Sequence, residues 1–204
     1  MEITEIINKY FKNIDDNKLH LLNSYFKLLI YFNEQVNLIS RNNTQQNAVR
    51  QMQHSLVIAK YTKFENVKTI VDLGTGGGLP GIPLAIFFPE IQFYLVDSIQ
   101  KKLNVVAQIC KNLELKNVTI VCDRIENTSI QADVVVTKAV AKLNKLVVWS
   151  NHLFANKAQH IIALKGGDLT EEIKKYKKKT KLTLVSNYFK EDYFENKFIV
   201  EYKA

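Results

Sequence analysis

The chain has 204 residues, 47% of them hydrophobic, and its 28 Lys and Arg against 20 Asp and Glu give a formal net charge of +8. This length suits one sizeable domain with its own apolar core, and the sequence has no apolar run of about 18 residues that would cross a membrane. The excess of positive charge favours a polyanionic partner such as nucleic acid, although basic enzymes of small metabolites are also common.

The first part of the chain, residues 1–63, is predicted to form a helical cap. A shorter helix is expected first, and the last helix of the cap should run from Thr44, a residue type that caps helices, to Tyr61. Between them, four apolar side chains recur at three- and four-residue spacing, the stripe of an amphipathic helix: Leu19, Leu22, Phe26 and Leu29. The segment has no Gly or Pro, so we expect it to pack with the rest of the chain as one unit.

Residues 64–204 change to a pattern of alternating strands and helices. Five continuous apolar runs are typical of parallel strands buried on both faces. These runs are 69–73, 93–97, 118–122, 132–140 and 160–166. Helix-length segments such as 98–113 separate them, and two later runs, 182–189 and 197–203, suggest an antiparallel hairpin. The sequence therefore predicts an α/β fold, a doubly wound parallel sheet that ends in a hairpin.

The stretch VDLGTGGGLPGIP, residues 71–83, leads from the first strand into a turn rich in glycine and proline. Ligands of open α/β sheets bind where the strands end. Gly74, Gly76 and Gly78 lack the Cβ that would block close approach of a ligand, so we take them as candidate cofactor-binding residues. A proline can begin the following helix, where its missing N–H costs nothing. A plain tight turn would not need so many glycines.

Asp97 closes the second strand about 20 residues after this turn, where a carboxylate can accept hydrogen bonds from ribose hydroxyls. Gly76, Gly78 and Gly81 also satisfy the dinucleotide fingerprint G-x-G-x-x-G, although a proline lies inside it. Nicotinamide cofactors and S-adenosylmethionine both use this arrangement. The spacing leaves both cofactors open, as well as a buried structural role for Asp97.

Cysteine usage indicates a reducing compartment. Cys110 and Cys122 are the two cysteines of the sequence, too few for a zinc cluster or a disulfide scaffold. Residues 1–16 mix acids with lysines and contain no apolar signal core. We therefore expect two buried free thiols, no metal site and a cytoplasmic location.

Four stretches together resemble the bacterial small-subunit ribosomal RNA guanine-N7 methyltransferases, a family also known as glucose-inhibited division protein B. They are VDLGTGGGLPGIPLAIFFPE, YLVDSIQKK, CDRIE and ALKGG, and YFNEQVNLIS at 31–40 resembles the helix-end motif of the family. The similarity covers about residues 20–204. It implies a Rossmann-like class I methyltransferase sheet, S-adenosyl-L-methionine as cofactor, and 16S ribosomal RNA or the small ribosomal subunit as partner.

The resemblance also implies roles for individual residues. Gly74 and Leu79 would line the methionine and ribose side of S-adenosylmethionine, and Asp97 would take the ribose hydroxyls. The backbone at Ile125 and Glu126 would meet the adenine.

The chain departs from the family pattern at two places. The cofactor-site arginine of the family falls on Lys138, which keeps the charge and loses the planar five-donor fork. The family commonly reads Arg-His where this chain has Arg50-Gln51, and Asp where it has His54 before the serine.

Methyl transfer to guanine N7 needs an in-line nucleophile with a free lone pair, so no base has to remove a proton and we name no catalytic base. Lys138 and Lys165, at the ends of adjacent strands, are candidates to position substrate or cofactor. Lys165, Arg124 beside the adenine loop, and Arg50 and Arg41 in the helical cap are candidates to bind RNA.

Simpler interpretations stay open for several side chains. Lys165 could be a strand-end lysine in water, and Arg124 could pair with a neighbouring carboxylate. The lysine run 174–181 suits the solvated face of a helix whose acids come first. Trp149 lies in an apolar helical stretch and is expected in the core rather than on a base-stacking surface.

Three other functions also stay open. They are a methyltransferase of small metabolites, a nicotinamide-dependent reductase, and a ribosome-binding assembly factor with little turnover, which Lys138 in place of arginine keeps in view. We expect the chain to act as a monomer.

Overall fold

A computed structural model describes residues 3–39, 44–155 and 157–204. Its centre is a seven-stranded sheet with the strand order β3-β2-β1-β4-β5-β7-β6. The strands are β1 (Thr69–Leu73), β2 (Gln92–Asp97), β3 (Val118–Cys122), β4 (Val134–Lys138), β5 (His160–Gly166), β6 (Thr180–Leu184) and β7 (Lys197–Lys203). After β1, the chain adds β2 and β3 on one side of the sheet and then crosses over to add β4 on the other side of β1. This change of direction creates a switch point at the carboxyl ends of β1 and β4.

Strands β1 to β5 pair in parallel, and β7 pairs antiparallel with both β5 and β6. The predicted doubly wound sheet with a terminal hairpin is therefore confirmed. The prediction of a single strand over residues 182–189 was wrong, because β6 ends at Leu184 and a 3₁₀ turn, Val185–Asn187, follows. Val185 is fully buried there, so that apolar run packs as a turn on the core.

Seven helices surround the sheet in the described part of the chain. They are α1 (Ile3–Tyr10), α2 (Asp16–Asn33), α3 (Thr44–Tyr61), α4 (Gly81–Phe87), α5 (Gln100–Asn112), α6 (Leu143–Ser150) and α7 (Thr170–Ile173). The bounds of α3 match the expectation from the sequence; the side chain of Thr44, its expected cap, lies outside the described residues. The helix expected at 98–113 is α5, which is a few residues shorter.

The lysine run is a solvated helix over only part of its predicted length. Residues Lys174–Lys179 form 3₁₀ turns, and β6 begins at Thr180 within the predicted run. Closely spaced lysines repel one another along a helix, whereas Thr180–Leu184 gains a full ladder against β7. Sheet pairing therefore decides the structure of this segment.

Helices α1, α2 and α3 share one apolar core with the sheet. Leu22, Phe26 and Leu29 of the predicted stripe are buried in a cluster that also contains α4 and strand residues. The hydroxyl of the fully buried Tyr25 donates to the carbonyl of Gly77 at 2.9 Å, which joins α2 to the glycine turn. The division of the chain at residue 63 stays a prediction.

The two cysteines differ from the expectation of two buried thiols. Cys110 is buried on α5, and burial raises its pKa to about 12. Cys122 is exposed at the end of β3, so the expectation was wrong for this residue. Across the described residues, no helix has the length and apolar character needed to span a membrane.

Candidate functional site

The glycine turn begins where β1 ends. Gly74, Gly76 and Gly78 all have positive φ, +73°, +56° and +92°, a backbone conformation that side chains with a Cβ seldom adopt. The N–H groups of Gly74 and Thr75 donate to the carbonyl of Val96 at 2.8 and 3.0 Å. These bonds tie the turn to β2 and hold its backbone at the switch point of the sheet.

Asp72, one residue before the end of β1, fastens the far side of the turn. Its Oδ2 accepts hydrogen bonds from Thr75 Oγ1 at 2.6 Å and from the N–H of Gly81 at 2.8 Å. A Cβ on Gly81 would lie 2.6 Å from this oxygen and would also clash with Leu95. The carboxylate therefore lies at the start of α4, where a dinucleotide-binding fold places the pyrophosphate of its cofactor.

Asp97 lies at the end of β2 and faces the turn. Its Oδ2 accepts from the N–H of Gly76 at 2.9 Å, and its Oδ1 accepts from the N–H of Ile99 at 3.0 Å. Each carboxylate oxygen can accept two hydrogen bonds, so both keep capacity for a diol. The side chain is half-buried, which leaves it open to a ligand while its direction is set by the backbone.

A pocket of about 430 Å³ opens between the glycine turn and the segment after β3. It is lined by Leu73, Gly74, Val96, Asp97, Ser98, Asp123, Arg124, Ile125, Glu126, Val140 and Trp149. Three carboxylates and one guanidinium are among these residues, so the lining favours a cationic ligand and disfavours a pyrophosphate. A sulfonium cofactor fits this charge pattern better than a nicotinamide dinucleotide does.

Gly74, Asp97, Ile125 and Glu126 of the expected cofactor set therefore lie around one pocket. Gly76 lies beside it and directs Asp97 through its N–H.

Gly78 and Leu79 lie outside this lining. Leu79 is buried, and a Cβ on Gly78 would meet the side chain of Ile82 and lie 3.3 Å from Tyr25 Oη. Both residues pack beneath the turn, and the roles that the resemblance gives them toward a cofactor stay predictions.

Lys138 ends β4 and turns toward the helical cap. Its Nζ donates to Gln51 Oε1 of α3 at 2.6 Å. Burial lowers the pKa of Lys138 to about 8, and the nearby Asp72 opposes that shift. Position 51 is one of the places where the sequence departs from the family pattern, so two departures are in direct contact.

His54, which departs from the family pattern in the same stretch as Gln51, lies one turn further along α3. Burial, with Lys138 and Lys197 nearby, lowers the pKa of His54 to about 3, so its ring is neutral at physiological pH. Burial also raises the pKa of Asp72 to about 7. Among the described residues, His54 Nε2 and Asp72 Oδ1 are buried without a hydrogen-bond partner. The contact between α3 and the sheet thus carries a small buried polar cluster.

The structure excludes the interpretation of Lys165 as a strand-end lysine in water, and its side chain does not line the pocket either. Its side chain is 8% exposed, and its Nζ lies 2.7 Å from Glu172 Oε1 and donates to the carbonyl of Ala141 at 2.6 Å. Its candidate role in binding RNA stays a prediction.

The structure locates two of the three arginines that are candidates to bind RNA. Arg124 is exposed at the pocket rim, and its backbone N–H donates to Asp123 Oδ1 at 2.7 Å. Arg50 of α3 lies over the ring of Tyr193, 5.1 Å from its centroid. Arg41 lies outside the described residues. None of these contacts tests binding of RNA, which stays a prediction for Arg50 and Arg124.

Sequence reasoning missed six of the eleven residues that line the pocket, namely Leu73, Val96, Ser98, Asp123, Val140 and Trp149. Trp149 is half-buried and lines the pocket, so the expectation of a core position was incomplete. Val140 follows β4 and is 40% exposed. The apolar run 132–140 extends two residues beyond Lys138, where β4 ends. These extra residues were the sequence feature that could have indicated Val140 as part of the pocket. In the described ranges, His, Cys, Asp and Glu side chains form no group that could hold a metal ion.

Comparison with solved structures shows the same fold. Magnesium protoporphyrin IX methyltransferase from Synechocystis, solved with bound SAM, superposes over 100% of this chain and 98% of its own, with a TM-score of 0.60 and 14% identity. A ribosomal protein L11 methylase from Lactobacillus delbrueckii superposes over 76% of this chain and 79% of its own, with a TM-score of 0.58 and 10% identity. The expected class I methyltransferase fold is therefore confirmed.

Comparison of sequences is more specific. A family profile described as rRNA small subunit methyltransferase G matches residues 18–197. A protein named ribosomal RNA small subunit methyltransferase G from Flavobacterium johnsoniae is 41% identical over 199 residues, covering 95% of each chain. The protein of the same name from Phocaeicola vulgatus is 41% identical over 204 residues, covering 96% of each. The chain belongs to the rRNA small subunit methyltransferase G family.

Proposed function

We propose that this chain methylates N7 of a guanine in the 16S RNA of the small ribosomal subunit, with S-adenosylmethionine as methyl donor. Membership of the family supports the reaction class and the RNA. The pocket beside Gly74 and Asp97 is the structural observation that carries the proposal. Its acidic lining matches a sulfonium, and the carboxyl group of Asp72, which lies at the start of α4, argues against the nicotinamide alternative.

The residues of the pocket fit the adenine, ribose and sulfonium parts of the donor. Asp97 would accept the two ribose hydroxyls, and Ile125 and Glu126 would lie along the adenine. Gly74 would lie under the sulfonium side, where its backbone can approach closely. When bound, S-adenosylmethionine supplies an activated methyl group.

The task of the chain is then to position guanine and exclude water. Guanine N7 has a free lone pair at neutral pH, so the site needs no proton acceptor, and rate acceleration comes from proximity and alignment. Lys138 places a cation at the carboxyl end of β4, next to β1. We assign it to an anionic group of the cofactor or the RNA, with Gln51 holding its ammonium in place.

The proposal is tested with small subunits purified from cells that lack this gene. Incubation with the chain and S-adenosylmethionine should place a methyl group on one guanine N7 of 16S RNA, mapped by chemical cleavage at N7-methylguanine. The variant Asp97→Asn should raise the KM for the donor by about tenfold or more, since it loses a charged hydrogen-bond acceptor. Asp16→Asn, an exposed residue of α2, is the matched control.

The outcomes separate the alternatives. Tight binding to the subunit without methylation would favour an assembly factor, and equal activity on free guanosine would favour a methyltransferase of small metabolites. Absence of N7-methylguanine together with absence of binding would contradict the proposal. The proposed substrate places the chain in the cytoplasm, and light scattering of the purified chain would test the expectation of a monomer.

A further inference from the structure

Residues 139–142, between β4 and α6, form a segment whose Val140 lines the cofactor pocket, and this segment is called the wall. Ala139 has a positive φ of +56°, unusual for a residue with a Cβ, and its N–H donates to the carbonyl of Leu164 at 3.1 Å. Val140 then projects over the glycine turn, so closely that a Cβ on Gly74 would lie 2.5 Å from Val140 Cγ2. The position of this segment therefore decides how closely the pocket fits around Gly74.

A buried ion pair outside the pocket holds both ends of this wall. Lys165 Nζ of β5 donates to the carbonyl of Ala141 at 2.6 Å. Glu172 Oε1 of α7 accepts from the N–H of Leu143, the first residue of α6, at 2.7 Å. The same oxygen lies 2.7 Å from Lys165 Nζ, and both side chains are at most 15% exposed. One carboxylate oxygen thus links the strand, the segment and the helix that carries Trp149.

We infer that Glu172 and Lys165 are positioning residues for the methyl donor, acting through the wall of residues 139–142. Neither side chain lines the pocket, so a direct contact with the donor does not explain their burial. The inference rests on the proposed function, because it names what the ion pair does for the proposed cofactor site.

The geometry explains why a charge is needed at position 172. A carboxamide could still accept from Leu143, but it would leave the buried Lys165 ammonium without a counter-ion. The ammonium would then turn toward water and release the carbonyl of Ala141. Val140 and the start of α6 would lose their fixed position above Gly74.

The test compares Glu172→Gln with Glu171→Gln, its exposed neighbour, which undergoes the same change of charge. Calorimetric titration with S-adenosylhomocysteine measures the dissociation constant without any turnover. We expect Glu172→Gln to bind about tenfold more weakly than the wild type, within the usual range for coupling between sites. Glu171→Gln should bind as the wild type does.

A second readout follows the wall itself. Trp149 is the single tryptophan of the chain, so its quenching by acrylamide reports access to the wall without a ligand. Quenching should increase in Glu172→Gln and stay unchanged in Glu171→Gln. In steady-state kinetics, the KM for S-adenosylmethionine should rise more than kcat falls.

The double variant Lys165→Met/Glu172→Leu keeps the test decisive if Glu172→Gln folds poorly, because it removes both charges together. It should fold and still bind S-adenosylhomocysteine weakly with increased quenching. Wild-type affinity and quenching in either Glu172→Gln or the double variant would overturn the inference while leaving the proposed function intact. Failure of the wild type to bind S-adenosylhomocysteine would remove the proposed function, and the inference with it.

Discussion

At the scale of single residues, the site combines one side chain that the sequence located well and others whose direction it could not give. Asp97 was predictable because strand ends of a parallel sheet meet at one edge, and its backbone bonds orient it there. Lys138 and Lys165 end adjacent strands as expected, yet they turn toward Gln51 and Glu172. Those partners come from other elements, and one sequence does not show which side chains share a buried space.

The variant Lys138→Arg should change how activity depends on pH. The lysine loses its charge as the pH rises through its pKa of about 8, whereas an arginine stays charged. Asp72 from β1 and His54 from α3 face this group, and neither supplies a replacement cation at alkaline pH. We therefore expect kcat/KM for subunit methylation to decline above about pH 8 in the wild type and to hold in Lys138→Arg.

Rates measured at saturating donor from about pH 7 to 9.5 check this prediction. Lys142→Arg, an exposed lysine of the same segment, is the control and should keep the wild-type profile. An identical alkaline decline in wild type and Lys138→Arg would show that another group causes it.

His54 should make the fold sensitive to acid. Its pKa is lowered in the folded state, so the neutral ring stabilises the fold above the unfolded value of 6.5, and this contribution is lost as the pH falls toward about 3. Below about pH 6.5 the free energy of unfolding should lose up to about 1.4 kcal/mol per pH unit through this proton.

Urea unfolding between about pH 7 and 4 measures that slope. The variant His54→Leu should reduce this slope by the contribution of one proton. The variant His20→Leu, which changes an exposed histidine of α2, should leave the slope unchanged. Equal slopes in the wild type and His54→Leu would contradict the burial of a neutral ring.

At the scale of elements, the glycines of the turn are required for different structural reasons. Gly76 needs its positive φ, but a Cβ added there would have open space, with its nearest neighbour 4.0 Å away. A Cβ on Gly81 would instead clash with Leu95 and Asp72. The glycine content of the turn predicted that a ligand approaches its backbone closely. At Gly81, the groups that lie close to the backbone are instead Leu95 of β2 and Asp72 of the protein itself.

Gly81→Ala should therefore destabilise the chain by about 1–3 kcal/mol, the usual cost of overpacking a core. Gly76→Ala should cost about 1 kcal/mol from φ alone. Thermal unfolding ranks the two variants. A Gly81→Ala variant as stable as the wild type would show that α4 can shift away from β2.

At the scale of the whole molecule, the parallel, doubly wound sheet with its terminal hairpin was predictable from the sequence, whereas the division of the chain at residue 63 stays a prediction. Continuous apolar runs joined by helix-length segments leave few arrangements other than a parallel, doubly wound sheet. The cap has the same apolar periodicity as any surface helix, and its core is continuous with the sheet. A boundary at residue 63 therefore has no packing discontinuity to mark it.

The net charge of +8 should separate the two ligands by their response to salt. RNA binding releases counterions, so affinity for the small subunit should fall at least tenfold between about 50 and 200 mM salt. Affinity for S-adenosylhomocysteine should change less than about twofold, since its pocket is small and local. Filter binding and calorimetry over the same salt series test both. A flat response for the subunit would argue against phosphate contacts as the main source of affinity.

The place of β7 between β5 and β6 has a consequence for biosynthesis. All seven residues of β7 pair with β5, and β6 reaches the sheet only through β7. While the nascent chain is being made, β5 stays an open edge and β6 has nothing to pair with. The last two strands, β6 and β7, therefore have to join the sheet after translation has passed residue 203, whereas the donor pocket can form earlier on the emerging polypeptide.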